Sequence, residues 1–489
     1  MTSIYDEHSW LEQVRFAKPF GKETKVASVT VSVIGSFVTR RIPEDLPLLF
    51  QGGIAIDPRN DTPMEMDAYS IYLALKALER TSGRDYSTER TALVEAVVGQ
   101  MQICGGFWSH GAWTGSRREV HMRFTAAAIR LLAEALEDGL VNDPELIVDA
   151  LERHLSFSER LSCGLWFLHD TLETEWAGVA HPHKPRRNKA WSSSEKNCLV
   201  LNTHMDTLST LLHVMRRVPM RDQDKVRFQL LVREGLHSLK AVLMPSVSLR
   251  WRTFAAVDSI IRSVVFASYI GRLPRSRHLE RKVLKVLRIG ILGAYFSLRR
   301  AIRSHIPAFA FPDGYLERDI SLMGASFEYH VVNAYDLARL MTQAREYGLA
   351  VDDGLFDRCD ELIDAAINYA IGSSYWKYHL ATTSETTRAI LLCEAILLRA
   401  SSLEPSGIPK GWIKAYCAIR RVLPPSAAIL GYDPFIVAGA SPNLLPPDRC
   451  DLIRLRSGKT LMIDLETAEI SLPSGSPVDR FHGLIPATQ

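Results

Sequence analysis

Apolar residues recur at helical spacing from about residue 61 to residue 400, and this periodicity restricts the fold more than any other feature of the chain. Loops that hold Gly, Pro or Ser separate the apolar segments. A long series of helices with few strands predicts an all-α body. The spacing predicts helices over residues 65–81, 89–103, 119–137, 143–154, 157–173, 199–217, 223–242, 252–270, 278–301, 321–346, 354–371, 384–401 and 409–421.

About a dozen consecutive helices, joined by alternately short and long loops, favour helical hairpins arranged in a ring, the (α/α) toroid. A superhelical repeat protein is the competing all-α architecture, but the sequence has no obvious repeat of roughly 33 to 45 residues. In a toroid the long loops collect on one face and form a cleft there. We therefore expect the residues at the ends of the long loops to share a binding site.

The two ends of the chain have strand patterns instead. Residues 25–38, KVASVTVSVIGSFV, alternate polar and β-branched side chains, as a strand with one buried face does. Residues 450–472 predict two short strands around Ser457, Gly458 and Lys459, and a third after Glu466. The expected organisation is an N-terminal segment with a strand over 1–60, a toroid catalytic domain over 61–423 and a small β-containing appendage over 424–489.

Composition excludes several classes of protein. The formal net charge of the 489 residues is only +3, so no general attraction to nucleic acid is expected. The N-terminus lacks the basic start and apolar core of a signal peptide, and no uncharged apolar run reaches the roughly 18 residues of a spanning helix. The cytoplasm is therefore the expected compartment. Seven cysteines without a CxxC spacing predict neither disulfides nor a zinc site, and we expect no metal and no cofactor.

One short motif has a known counterpart. Gln102 to Trp108, QICGGFW, fits QxxxGxW and resembles the QW repeat of squalene-cyclase and related terpene-cyclase toroids. In that family the Gln and Trp stack at a helix terminus and tie neighbouring hairpins together, so the resemblance implies a fold more than an activity. The DxDD, DDxxD and NSE-type motifs of terpene enzymes are absent. A terpene-cyclase-like toroid that acts on a hydrophobic isoprenoid is nevertheless one alternative function, and a non-catalytic helical binding scaffold is another.

The stretch from Trp166 to His213 has the densest mixture of chemically versatile side chains. Acidic residues precede a polar loop, and histidine, indole and amide side chains follow in the loop and in the first turns of the next helix. A purely structural loop does not need this mixture, so we predict that the stretch forms one wall of a substrate cleft. Its versatile residues are Asp170, Glu173, Glu175, His181, His183, Trp191, Asn197, Asn202, His204 and Asp206.

A second loop-to-helix junction runs from Trp108 to Arg123. Glu119 and Arg123 are four residues apart on one helical face, so they could simply form an ion pair. Alternatively, His121 and Arg123 face the cleft and bind an anionic group, with Trp108 and Trp113 as stacking walls. The sequence leaves both alternatives open.

Two later junctions have a similar composition. In the first, Asp313 lies in a loop and Glu328 and Tyr329 begin a helix, where adjacent side chains point about 100° apart and only some can face one cleft. In the second, Tyr375 and His379 precede a helix; aromatic side chains of this kind either line sugar sites or form half-buried packing. Because four junctions recur in this way, we expect them to converge on a cleft for an acidic or polar, ring-containing substrate.

The helix starts Asn197–Leu208 and Tyr329–Asn333 resemble those of (α/α)-toroid carbohydrate enzymes, notably the D-glucuronyl C5-epimerase group and the polysaccharide lyases and glycosidases that share its barrel. The resemblance implies an epimerase, lyase or hydrolase that uses acid and base groups on an acidic or polar glycan. The predicted catalytic residues are Glu173, Glu175, Glu328, Tyr329 and His204. The predicted substrate-binding residues are Trp108, Trp113, His121, Arg123, Asn202, Asp206, Asp313, Tyr375 and His379.

A basic and apolar segment over residues 272–303 stands apart from these junctions. It is either the solvated face of an amphipathic helix or a surface for peripheral contact with an anionic membrane or polyanion. The expected partner of the chain is a glycan or small-molecule substrate, and not a nucleic acid. The oligomeric state is left open.

Overall fold

The structure is a computed structural model that describes most of the helical part of the chain and selected strands elsewhere. For some residues near the gaps, Glu328 among them, it describes the backbone alone. The described residues are the strands between 15 and 63, positions 69, 72, 73, 76 and 108, and residues 85–103, 120–170, 191–194, 197–244, 248–269, 295, 299, 308–319, 327–349, 354–372, 386–420, 436–437, 450–457 and 459–471.

Helices dominate these residues, with small sheets and no closed barrel. The predicted mostly helical body is therefore confirmed at this level. No helix in the described part of the chain is long and apolar enough to cross a bilayer. The helices are α1 (Ser87–Ile103), α2 (Met122–Glu137), α3 (Pro144–Ser156), α4 (Leu201–Arg217), α5 (Asp222–Leu243), α6 (Leu249–Tyr269), α7 (Phe327–Glu346), α8 (Leu355–Gly372), α9 (Thr386–Ala400) and α10 (Lys410–Arg420).

The strands at the two ends of the chain form small antiparallel sheets. Residues 436–471 form a four-stranded sheet in sequence order, and three of its strands lie where the sequence predicts them. The strands are β1 (Arg15–Phe16), β2 (Glu23–Lys25), β3 (Val29–Val33), β4 (Val38–Ile42), β5 (Pro47–Leu49), β6 (Ala55–Asp57), β7 (Thr62–Pro63), β8 (Ser158–Leu161), β9 (Gly164–Phe167), β10 (Ile436–Val437), β11 (Cys450–Arg454), β12 (Thr460–Asp464) and β13 (Ile470–Ser471).

The prediction of a helix over 157–173 is wrong, because β8 and β9 form an antiparallel hairpin over residues 158–167. Gly164 follows the turn with φ of +132°, a conformation that side chains other than glycine rarely adopt. A Cβ at this position would lie 2.7 Å from the carbonyl oxygen of Glu234. The apolar run after Gly164 is compatible with either a helix or a short buried strand, and the glycine selects the strand.

The chain divides into two compact units. Unit 1 comprises residues 1–118, 127–143 and 384–489, and unit 2 comprises residues 119–126 and 144–383. In unit 1, Asp138 accepts hydrogen bonds from Tyr72 (2.6 Å) and Arg90 (2.8 Å) and forms an ion pair with Lys76 (3.0 Å). This carboxylate therefore ties three segments of unit 1 together.

Unit 2 contains two copies of one structural plan. In each copy a tight hairpin turn precedes a helix, and a second helix follows. The first copy is β8–β9, α4 and α5; the second is the turn over 310–316, closed by a bridge between Ala310 and Leu316, followed by α7 and α8. Gly314 takes the place of Gly164, with φ of +90° and a Cβ position 2.3 Å from the carbonyl oxygen of Ala365.

A buried histidine joins the three elements of each copy. His204, the fourth residue of α4, accepts a hydrogen bond at Nδ1 from the backbone N–H of Phe167 (3.2 Å) and donates from Nε2 to the carbonyl of Gly235 (3.0 Å). His330, the fourth residue of α7, does the same with Leu316 (2.9 Å) and Ala366 (3.0 Å). Each histidine therefore fastens a hairpin to the two helices that follow it.

Helices α4 and α7 run parallel. Asp206 in the first half of α4 contacts Arg339 of α7, and Arg216 in the last turn of α4 forms an ion pair with Glu346 at the end of α7 (2.5 Å). The contacts therefore advance in the same direction along both helices. As a result, both helices begin at the same end of unit 2.

Candidate functional site

Polar side chains gather in unit 2 where α2, α4 and α7 begin. The backbone N–H of Met122, the first residue of α2, donates to the carbonyl of His169 (3.0 Å). The N–H of Leu201, the first residue of α4, donates to the carbonyl of Arg318 in the same way (2.8 Å). Both acceptors lie just after a hairpin turn, so each turn satisfies one of the N–H groups that a helix start leaves open.

The side chains at these helix starts contact one another. The rings of His121 and His169 meet edge to face with centroids 4.2 Å apart. Arg318 lies 3.5 Å from Nε2 of His169 and stacks over the ring of Tyr329 at 4.2 Å. We call His121, His169, Arg318 and Tyr329 the helix-start cluster. All four side chains are partly exposed.

The hydrogen bonds indicate which ring nitrogens carry protons. Nδ1 of His121 accepts the backbone N–H of Arg123 (3.2 Å), so the neutral ring carries its proton on Nε2. A guanidinium only donates, so Nε2 of His169 faces Arg318 as an acceptor, and Nδ1 of His169 donates to the hydroxyl of Thr203 (2.7 Å). The cluster thus places an imidazole lone pair close to an imidazole N–H and a phenol.

Arg318 is the charged member of the cluster and forms an ion pair with Asp319 (3.4 Å). Burial lowers the pKa of Arg318, but Tyr329, Asp319, Cys198 and Asp170 outweigh this effect, and the pKa of Arg318 lies above its usual value. Arg318 therefore keeps its charge. Helix N-termini carry partial positive charge, so the starts of α2, α4 and α7 add to the attraction for a negative group.

A ring of buried charges connects the same three helices. Arg123 of α2 donates to Asp336 of α7 (2.6 Å), and Arg339 of α7 donates to Asp336 (3.1 Å) and to Asp206 of α4. Nε of Arg123 lies 3.9 Å from Asp206, which closes the ring. We call Arg123, Asp206, Asp336 and Arg339 the buried ion network. The described partners of Arg123 are thus carboxylates of α4 and α7, while Glu119 lies outside the described residues, and both predicted roles of Arg123 stay predictions.

His204 lies in the core of unit 2. Its ring stacks on Trp166 with centroids 4.1 Å apart, and both of its nitrogens bind backbone atoms. Burial lowers the pKa of His204 to about 4. These contacts give the ring a packing role, and its predicted part in proton transfer stays a prediction.

Other predicted residues are held by their neighbours. Trp108 is buried in unit 1 and donates its indole N–H to the carbonyl of Val97 (2.9 Å). Asp313 in unit 2 accepts from the buried Arg262 (2.8 Å) and from the backbone N–H of Tyr315 (3.2 Å). Asn202, the second residue of α4, is buried. A role in substrate binding stays a prediction for each of them.

The remaining predicted residues cannot be placed. Glu328 is the second residue of α7, but its side chain is outside the described part of the chain. The other predicted residues outside the described ranges are Glu173, Glu175, Trp113, Tyr375 and His379. Of the four predicted junctions, the structure thus brings His121, His169 and the pair Arg318 and Tyr329, from three junctions, into one cluster.

Sequence reasoning did not select His169 or Arg318 as site residues. The signal that identifies them is their shared position, four or five residues after the positive-φ glycine of a hairpin and directly beside a helix start. A tertiary bond to a different helix defines this position, so local periodicity does not reveal it.

Two further expectations concern metals and the basic segment. Among the described residues, no group of three or more His, Cys, Asp or Glu side chains is placed to hold a metal ion. Within 272–303 the structure describes only Tyr295 and Arg299, and both are buried. Arg299 pairs with Asp258 (2.7 Å) and with Glu317.

Comparison of the chain with protein-family models, with curated proteins and with solved structures found no match.

Proposed function

We propose that unit 2 belongs to an enzyme that acts on an acidic glycan or sugar acid by moving a proton next to a carboxylate. The observation that carries this proposal is the helix-start cluster, where a charged Arg318 lies beside two imidazoles and a phenol at a partly exposed position. The parallel pair α4 and α7, each followed by an antiparallel partner helix, supports an (α/α) toroid as the complete architecture.

The first step of the proposed reaction is binding of the substrate carboxylate. Arg318 and the N-termini of α2, α4 and α7 bind this group and stabilise the additional charge that develops on it when the neighbouring carbon loses its proton. An arginine suits this role because its planar fork matches a carboxylate and stays protonated.

Proton transfer is the second step. Once the substrate carboxylate has taken over the guanidinium of Arg318, the lone pair on Nε2 of His169 takes the proton from the carbon next to the carboxylate. Tyr329 gives a proton to the leaving oxygen in a lyase or to the opposite face of the carbon in an epimerase. In the lyase reaction the C–H electron pair becomes the new double bond, and the electrons of the C–O bond leave with the oxygen. The Nε2–H of His121 supplies a further donor beside His169.

A glycosidase would need two carboxyl groups that face the substrate. The two described carboxylates near the cluster, Asp170 and Asp319, both interact with Arg318. This arrangement favours proton abstraction over hydrolysis. A charged and partly exposed cluster also favours a glycan over the isoprenoid alternative, which would require an enclosed aromatic chamber.

Deuterium exchange tests the proposal. Uronic-acid oligosaccharides are incubated with the protein in heavy water, and mass spectrometry measures deuterium at the carbon next to the carboxylate. We expect exchange with the wild-type protein and a loss of at least about a hundredfold in His169→Gln, Arg318→Lys and Tyr329→Phe, since general acid–base groups contribute rate factors of about this size.

Matched control variants lie on exposed or peripheral parts of the same unit. His237 and Arg233 are exposed on α5. Tyr347 follows α7, and its hydroxyl accepts a hydrogen bond from the side-chain amide of Gln229 (3.0 Å). Deuterium exchange should therefore be as fast with His237→Gln, Arg233→Lys and Tyr347→Phe as with the wild-type protein. Exchange that is equally fast in the cluster variants and the controls would contradict the proposal. If every uronate tested shows neither deuterium exchange nor the unsaturated product of a lyase, which has no hydrogen at that carbon, the proposal is contradicted as well.

A further inference from the structure

We infer that the buried ion network is positioning machinery for the helix-start cluster: it holds the start of α2 so that His121 keeps one orientation and one tautomer. The inference rests on the proposed function only for the use of His121 in turnover. The orientation of His121 itself is a property of the free protein and is measurable without substrate.

The geometry of the network is closed and alternating. Asp336 binds Arg123 and Arg339, and Asp206 faces the same two arginines. Two positive and two negative charges therefore balance within the ring. Because the four residues come from the first turn of α2 and from α4 and α7, the ring holds this first turn in one orientation beside the parallel helix pair.

Stability alone does not account for this ring. Each of the four side chains is at most 6% exposed. Removing charged groups from water costs several kcal/mol per ion, and well-packed apolar side chains of similar volume often serve as well or better. Ions that pair in only one geometry, by contrast, discriminate strongly between helix orientations.

The connection from the network to the cluster is short. The side chain of Arg123 belongs to the network, and its backbone N–H is the donor that holds Nδ1 of His121 (3.2 Å). The carbonyl of His169 holds Met122 between them, and His121 forms a backbone bridge with Asp170. A rotation of α2 would therefore withdraw the N–H of Arg123 from the ring of His121, which would release the Nε2–H tautomer.

The test measures the ring nitrogens of His121 by 15N NMR in the full-length, substrate-free protein. The His121→Gln variant identifies the signal. The wild-type ring should be almost wholly in the Nε2–H form. Arg123→Lys keeps the charge but loses the guanidinium fork, and we expect its His121 nitrogen signals to shift toward a mixture of the two tautomers while the protein stays folded.

A second variant separates positioning from folding. Arg123→Met, Asp206→Leu, Asp336→Leu and Arg339→Met are combined so that no charge is left unpaired. We expect cooperative unfolding to be retained and the tautomer preference of His121 to be lost. Arg217→Lys, on the last turn of α4, is the matched control and should leave the ring signals unchanged.

Two results would overturn the inference. One is an unchanged tautomer of His121 in folded Arg123→Lys, and the other is an unchanged tautomer in the folded four-residue variant. If the four-residue variant does not fold, the tautomer of His121 in Arg123→Lys still tests the inference. If uronates show neither exchange nor an unsaturated product but the Arg123→Lys shift is present, the positioning role stands and the proposed reaction fails.

Discussion

At the scale of single residues, the reactive side chains of unit 2 differ in how deeply they are buried. His121 and Tyr329 were predicted at a shared site, and both belong to the helix-start cluster. Arg123 was also predicted there, but it pairs with Asp336, which is 213 positions away. A partner so distant in sequence leaves no trace in local spacing. His204 and His330 also lie at polar helix starts, yet both rings are buried and form hydrogen bonds with backbone atoms that are distant in sequence.

These two buried histidines predict acid sensitivity. Burial lowers the pKa of His204 to about 4 and that of His330 to about 3, from a usual value of 6.5. Above pH 6.5 both rings are neutral in the folded and unfolded chain. Below pH 6.5 these two histidines become protonated in the unfolded chain but stay neutral in the folded chain. Each histidine therefore lowers the free energy of unfolding by about 1.4 kcal/mol per pH unit until the pH reaches its pKa in the folded chain.

The measurement compares variants across that window. Urea unfolding of His204→Gln between pH 6.5 and about 4 should show a smaller loss of stability with acid than the wild-type protein does, although the variant is less stable at neutral pH. The exposed His237→Gln should keep the wild-type slope. Equal slopes for His204→Gln and the wild-type protein would show that the buried ring is not responsible.

At the scale of secondary-structure elements, helices were predicted well where the apolar periodicity extends over many residues. They were predicted poorly where a single glycine determines the local structure. The bounds of α4, α5 and α8 differ from the predicted ones by one or two residues. The β8–β9 hairpin was missed because its apolar residues suit either structure. The repeated plan of hairpin and two helices was missed as well, since the two copies share positions for glycine, aromatic and histidine residues and little else.

The glycines of the two hairpins provide a prediction at this scale. The Gly314→Ala substitution combines a positive φ with a Cβ 2.3 Å from the backbone oxygen of Ala365. Because this oxygen belongs to the backbone, relieving the overlap would require a shift of the main chain. Gly348 also has a positive φ, but a Cβ there meets nothing within 4 Å. We expect Gly348→Ala to cost about 1 kcal/mol and Gly314→Ala to cost at least about 3 kcal/mol.

Thermal or urea unfolding of the two variants measures this difference. Gly348→Ala is the internal control, because it carries the backbone strain without the close contact. Similar destabilisation by the two substitutions would mean that the turn of the second copy does not pack closely against α8, and the proposed equivalence of the two hairpins would then lose its support.

At the scale of the whole molecule, composition and periodicity were sufficient for the mostly helical body and for the strands near the C-terminus. They were not sufficient for the site. Three helix starts meet because α4 and α7 run parallel and because His169 and Arg318 bind the N-termini of α2 and α4. Tertiary contacts create this arrangement, so the sequence suggested that the junctions converge without showing which side chains meet.

The central claim is that the side chains of the helix-start cluster bind one substrate carboxylate. The most direct test is a crystal structure of the protein, determined after soaking the crystal with a uronic-acid oligosaccharide. The account predicts that a substrate carboxylate binds the guanidinium of Arg318, with the adjacent carbon facing Nε2 of His169 and the phenol of Tyr329. An oligosaccharide bound elsewhere while the helix-start cluster stays empty would contradict the account.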